Sequence, residues 1–283
     1  MFRYSAFALT IDSELELPGL PAGEGEPELT IRLGKVARTK AKATMAEEVA
    51  ITCTVGGFHI RGGSEIIVDP LPDADPEMVR SVLLGRIISF LMRQRGWLPL
   101  HASGVVIDEK SVLFLGSCGA GKSTTAAGFH ARGHLVIADD LGAVRVVDGA
   151  CQVQPAWSCL RLRDDTAPLL DDLELRVEPH VGKFRFHLDC GVSRAFFPVR
   201  RIYVLEYGDE LRIEKMHPRE AMMSLDARSF IKRWRMGREV MVHHLAQCAA
   251  VSAATPVRRL TRPRSLNALP EVVRFLERDV ADD

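Results

Sequence analysis

The sequence predicts an α/β fold with a small β-rich unit at its N-terminus. Three observations predict it. Residues 1 to 75 hold five short runs of branched and aromatic residues: "RYSAFALTI", "ELTIRL", "VAITCTV", "FHIRG" and "EIIVD". From residue 98 the pattern changes to apolar strands alternating with helical stretches. Between one such strand, "SVLFL", and the helix after it lies a glycine-rich loop, "GSCGAGKS".

In the N-terminal unit the runs read as strands, and Gly56-Gly57 reads as a tight hairpin turn. Residues 76 to 97 read as a linking helix. Asp75 suits its N-cap, Pro76 its first position and Gly96 its exit. Met78, Val82, Ile88 and Leu91 contribute an apolar face. Residues 98 to 283 form the main domain. "LPLHASGVVID" and "SVLFL" read as strands joined at "DEK", followed by a helix from Lys122 to Ala131 and the strand "HLVIA". A hairpin is expected around Asp148-Gly149, and strands at "KFRFHLD", "RRIYVLEY" and "LRIEKM". The C-terminal part reads as helices over 219–226, 229–250 and "LPEVVRFLER".

Composition narrows the function classes. Apolar residues make up 47%, enough for an ordinary core. Lys plus Arg equals Asp plus Glu at 37 each, which argues against nucleic-acid binding driven by overall charge. The N-terminus has no signal-peptide layout. The apolar stretch "SVLLGRIISFLM" is short and interrupted by Arg86, so no membrane span is expected. Six cysteines without CxxC or metal-like spacing fit a reducing cytoplasm.

Gly116 to Ser123 satisfies G-x-x-x-x-G-K-[ST]. Glycines let successive backbone N–H groups turn toward phosphate oxygens, and the helix that starts there adds the positive end of its dipole. The expected nucleotide-binding set is Gly116, Ser117, Cys118, Gly119, Ala120, Gly121, Lys122, Ser123 and Thr124. Lys122 would reach the β- and γ-phosphates, and Ser123 would take a position on Mg²⁺. Thr125 suits a capping role, and Cys118 a small filler. Asp139 and Asp140 end the next strand, with Asp139 17 positions beyond Lys122. One carboxylate there can attend a metal and the other can take a proton, although Asp is also common at strand ends. His101 stands 21 positions ahead of Lys122, on the strand before the loop.

Together these residues resemble the bacterial HPr kinase/phosphorylase family, whose fold is related to phosphoenolpyruvate carboxykinase. The resemblance is specific over residues 98 to 145. It implies Asp139 as general base, His101 in support, Lys122 on phosphate, and Ser123 with Asp140 at the metal. It departs from that family at Thr124, where an acidic residue is usual, and in having no arginine- and glycine-rich signature after Asp140. The layout looks more like the kinase-like members of ribosomal peptide maturation, including lasso peptide kinases. "Y.AFALTIDSELELPGL", "RRIYVLEY" and "TPVRRLTR" carry that likeness. The implied activity is transfer from ATP, with Mg²⁺, to a serine of a peptide or protein, with oligomers expected by analogy. An HPr-type protein substrate, free serine as acceptor, and a non-enzymatic nucleotide switch are the alternatives.

An acceptor surface is expected on the basic stretch "SFIKRWRMGREVMVHH". Lys232, Arg233, Arg235 and Arg238 lie there with Phe230 and Trp234, and the alternative is a solvated helix. Arg194, Arg200 and Arg201 are further candidates for phosphate contact. His243-His244 has no neighbouring ligand types, so surface or core roles are expected.

Overall fold

Strand pairing among the described residues of the computed structural model forms three sheets. The structure describes residues 1–37, 48–156, 159–163, 165–170, 175–180, 183–188, 196–230 and 237–282. The architecture is mixed α/β.

The first sheet has the order β1-β2-β3-β6-β5-β4. Its strands are β1 (Phe2–Ala6), β2 (Leu9–Ser13), β3 (Leu29–Leu33), β4 (Glu48–Cys53), β5 (Gly56–Arg61) and β6 (Glu65–Pro70). Alternate residues such as Leu9, Ile11, Ile66 and Val68 point to its buried face. The linking helix covers that face. It runs as α1 (Pro76–Val82), one π-helical turn (Leu83–Ile87) and α2 (Ile88–Gln94). The Asp75 carboxylate caps it, accepting from the Glu77 N–H at 2.9 Å. Val79, Leu83, Ile87, Ile88 and Leu91 are buried against the sheet, whereas Met78 and Val82 are only partly covered.

Two turns differ from the sequence reading. "RYSAFALTI" is two strands, not one: Phe7 and Ala8 form a two-residue turn with φ of 54° and 48°. Such turns usually take Asn and Gly, because a side chain with positive φ is strained. Tertiary contacts hold this one. Phe7 is fully buried, its N–H donates to the Ala156 carbonyl at 3.0 Å, and its carbonyl accepts from the Gln154 amide. Gly56 and Gly57, in turn, begin β5, and Thr54-Val55 make the turn. A Cβ on Gly56 would lie 2.4 Å from the Asp69 carbonyl oxygen, so glycine is needed for the close approach of β6.

The second sheet has the order β10-β8-β9-β16-β12-β11-β7, with β18 beside β16 and β17 beside β18. Its strands are β7 (Leu98–Leu100), β8 (Ala102–Ile107), β9 (Lys110–Leu115), β10 (Leu135–Ala138), β11 (Gly142–Val147), β12 (Ala150–Gln154), β16 (Phe197–Tyr207), β17 (Arg212–Lys215) and β18 (Val257–Arg262). β16 runs parallel to both β9 and β18. A small third sheet pairs β13 (Cys159–Leu162), β15 (Lys183–His187) and β14 (Arg176–His180) in that order. Helices α3 (Lys122–His130) and α6 (Leu269–Ala281) bury Phe129, Val272 and Leu276 with Phe114 and Tyr203 on one face of the second sheet. Helices α4 (Pro218–Ala227) and α5 (Arg238–Ala254) bury Leu225, Cys248 and Val251 with Leu113 and Ile202 on the other.

Three expectations change here. β18 was not read as a strand, because three arginines in six residues hide its alternation. The helix expected from 229 starts at Arg238, and Lys232, Arg233, Trp234 and Arg235 lie outside the described residues. Arg200 and Arg201 belong to the fold, not to a phosphate site. Arg200 donates to the Val280 carbonyl at 2.9 Å, and the buried Arg201 pairs with Asp279, so both tie down α6. Arg194 lies outside the described residues. No helix among the described residues is long and apolar enough to cross a membrane.

Candidate functional site

The glycine-rich loop leaves the end of β9 and enters α3. Gly119 and Gly121 adopt φ of 80° and 82°, which admit glycine readily. A Cβ on Gly121 would also lie 2.2 Å from Arg262 Nη2 and 3.2 Å from Tyr207 Oη. Those two side chains hold the loop from outside: the Tyr207 hydroxyl donates to the Gly119 carbonyl at 3.0 Å, and Arg262 Nη2 donates to the Ala120 carbonyl at 2.9 Å. Inside the loop, Lys122 Nζ donates to the carbonyls of Gly116 at 3.1 Å and Ser117 at 3.3 Å. The Thr125 hydroxyl donates to the Gly121 carbonyl at 2.8 Å. Among the described residues no side chain caps the start of α3.

The two aspartates follow β10, whose pairing with β8 slips between Val136 and Ala138. They separate sharply. Asp139 is only 3% exposed. Its Oδ1 accepts from the hydroxyls of Ser103 at 2.6 Å and Ser123 at 2.8 Å, and its Oδ2 from the Arg161 N–H at 2.9 Å. Burial, and the neighbouring Asp140 charge, push its pKa above the usual carboxylate range. Asp140 has φ of 65°, a left-handed conformation that Asp tolerates. Its carboxylate pairs with the Arg161 guanidinium at 2.5 Å, with its side chain 21% exposed.

His101 sits where the chain changes partners, between β7, which pairs with β11, and β8, which pairs with β9 and β10. Its Nδ1 is 3.0 Å from the Asp140 carbonyl. A carbonyl only accepts, so Nδ1 carries the proton and, in the neutral ring, Nε2 is the acceptor. Burial of the ring, and then the Lys122 charge, hold its pKa below the ordinary histidine value. The residue is propped from behind. Its N–H donates to the Arg228 carbonyl at 2.7 Å, and its ring meets Phe230 edge-on at 5.7 Å. Phe230, expected on an acceptor-binding helix, is thus a neighbour of His101. The segment is anchored by buried polar groups: His244 Nε2 lies 3.2 Å from Asp226 Oδ1 and 3.3 Å from the Ser229 hydroxyl. His244 is therefore a core histidine, and His243 is exposed.

These elements enclose a cavity of about 290 Å³. His101, Cys118, Gly119, Gly121, Lys122, Ser123, Thr124 and Asp140, all singled out from the sequence, line it. Asp139 lies behind Ser123, and Gly116, Ser117 and Ala120 shape the loop through their carbonyls and close packing. The sequence reading missed Arg161, Arg163, Tyr207, Arg262 and Arg264 as lining residues. The first two had a local signal: they alternate along β13 and its exit with Leu160 and Leu162, which are buried. Tyr207 and Arg262 end the two strands that run parallel beyond the loop strand, where open α/β sheets place ligands, but only the pairing of β16 with β9 and β18 reveals this.

Five basic side chains (Lys122, Arg161, Arg163, Arg262 and Arg264) face two lining carboxylates, Asp140 and Asp165, so the cavity suits a polyanion. A Mg²⁺ ion also fits the donor set. The Ser123 hydroxyl and Asp139 carboxylate are hard oxygen donors in contact with one another, and Asp140 shares the cavity with Ser123.

No protein-family model and no curated protein matches the chain. Among solved structures, that of the Hpr(Ser) kinase/phosphatase from Coxiella burnetii matches 64% of this chain and 94% of its own. The identity is 16% and the TM-score 0.35. A likeness of that depth carries no argument about function.

Proposed function

We propose that the chain is a kinase that transfers the γ-phosphate of ATP to a serine hydroxyl of a peptide or protein. The observation that carries this reading is the shared cavity: a phosphate loop, a part-exposed carboxylate and a histidine line it together. Loop N–H groups and Lys122 bind the triphosphate. Ser123 and Asp139 would hold Mg²⁺, which when bound neutralises charge on the phosphates.

The contacts favour a division of the aspartates opposite to the one implied by the family resemblance. The Asp139 carboxylate is buried and already accepts three hydrogen bonds, which suits a fixed metal station. Asp140 lines the cavity and suits the general base. It takes the proton of the serine hydroxyl as that oxygen forms its bond to the γ-phosphorus. The bond from phosphorus to the β,γ-bridging oxygen breaks, and ADP leaves. His101 and Arg161 orient Asp140. Catalysis is then mainly positioning and charge neutralisation.

A precursor peptide of the lasso type is the acceptor class we favour, on the layout of the sequence; an HPr-like protein and free serine are the competing acceptors. The test is incubation with γ-labelled ATP, Mg²⁺ and each acceptor class. Label on peptide serine is expected. ATP binding without label on any acceptor would leave a nucleotide-dependent switch in place of a kinase.

A further inference from the structure

The cavity has an occupant for its middle and one end in the reading above, but its other end is also built. β9, which carries the phosphate loop, lies between β8 and β16. Asp139, Asp140 and His101 stand on the β8 and β10 side. On the opposite side, β16 ends at Tyr207 and β18 ends at Arg262, and the chain continues through Arg264, Ser265 and Leu266. Tyr207 is 41% exposed and Leu266 38%, and both line the cavity. The guanidinium of Arg264 lies 5.4 Å from the centre of the Tyr207 ring, and that of Arg262 lies 5.1 Å away.

Arg262 is committed to the loop, since it is buried and donates to the Ala120 carbonyl. Arg264 is exposed. The end of the cavity away from the acidic pair therefore presents an aromatic ring, an apolar side chain and a planar cation, all part-open. These are the surfaces on which a nucleobase stacks. A triphosphate whose terminal phosphate points to Asp140 must leave the loop in the other direction, toward this platform.

We infer that Tyr207, Arg264 and Leu266 form the purine subsite of the nucleotide, a step that rests on the kinase reading for the direction of the triphosphate. The Arg264 guanidinium only donates, whereas the neighbouring Ser265 hydroxyl both donates and accepts. Donors suit N7 of either purine and O6 of guanine, and offer nothing to the 6-amino group of adenine. The subsite takes either purine, with Arg264 adding a donor that favours guanine.

The test is calorimetric binding of ATP, GTP and inorganic tripolyphosphate, each with Mg²⁺, to the full chain. Tripolyphosphate reports the loop alone. Tyr207→Ala and Leu266→Asp should each weaken ATP by about tenfold relative to tripolyphosphate. Tyr207→Phe, which keeps the ring and loses the hydroxyl to Gly119, should leave that ratio as in the wild type. Arg264→Gln should weaken GTP more than ATP. Equal ratios in wild type, Tyr207→Ala and Leu266→Asp would place the base elsewhere and overturn the subsite. A wild-type preference for ATP over GTP above about tenfold would overturn the donor-only reading of Arg264. Binding of ATP and tripolyphosphate without transfer to serine would sink the kinase reading while leaving the subsite standing. Failure to bind either would sink both.

Discussion

At one end of the cavity the Asp140 carboxylate lies 2.5 Å from the Arg161 guanidinium and 4.0 Å from the His101 ring, with Asp139 buried behind Ser123. At the other end the guanidiniums of Arg262 and Arg264 lie 5.1 and 5.4 Å from the centre of the exposed Tyr207 ring, and the exposed Leu266 lines the same cavity. The first end has its groups aimed by neighbours: Asp139 by Ser103 and Ser123, Asp140 by Arg161, His101 by Arg228 and Phe230. That is the pre-organisation that proton and phosphoryl transfer require. The second end presents an open aromatic face, as stacking requires. Between them, Tyr207 and Arg262 fix the loop through hydrogen bonds to its carbonyls.

The comparison can be broken most sharply at the acidic end. Asp140→Asn should lower the rate of transfer by about 10²- to 10⁴-fold, while ATP still binds. Single-turnover transfer of labelled phosphate measures it. Asp139→Asn should instead raise the Mg²⁺ concentration needed for half-maximal transfer; if Asp139→Asn alone abolishes transfer at saturating Mg²⁺ and Asp140→Asn does not, the division of roles is reversed.

The loop between the two ends should respond less. Arg262→Ala leaves the Ala120 carbonyl without its donor, a loss of about 1–3 kcal/mol. ATP and tripolyphosphate affinities should fall together, because the loop itself loosens. A fall in ATP affinity alone would assign Arg262 to the base end.

The support behind His101 offers a third test. Asp226→Ala removes the buried carboxylate that faces His244, at a cost of about 1–3 kcal/mol of stability by denaturant unfolding. Transfer should fall as well, because the segment holding His101 is released. A stability loss with unchanged transfer would confine the cluster to a structural role.

The smallest effect concerns pH. The folded chain holds His101 below its ordinary value of 6.5, so the unfolded chain binds a proton first as pH falls. Stability is therefore lost on acidification from about 6.5 down to the lowered folded value, and the contribution is absent at higher pH. Melting temperatures of wild type and His101→Asn should diverge below pH 6.5 in favour of the variant. Parallel curves would show that the ring is solvated.

Much of the acidic end was legible because it is local. The loop, the helix and "HLVIADD" are one strand–helix–strand unit, and backbone periodicity alone predicts β9, α3 and β10 within a residue or two. The Phe7-Ala8 turn was not legible, since no turn residue marks it and contacts from Ala156 and Gln154 stabilise it. Nor was the helix start at Arg238, because helical periodicity does not register the pairing of Ser229 with Leu100.

The sequence by itself determined the α/β class, the phosphate loop and the carboxylate pair beyond it, because short-range sterics and periodicity encode them. Tertiary structure decided what those residues face. Left-handed backbone at Asp140 turned one carboxylate toward the cavity while burial locked the other to Ser123. Parallel pairing of β16 with β9 and β18 brought Tyr207 and Arg262 onto a loop 88 and 142 residues earlier in the chain. Hydrogen bonds between distant strands choose such neighbours, and no local pattern carries that choice.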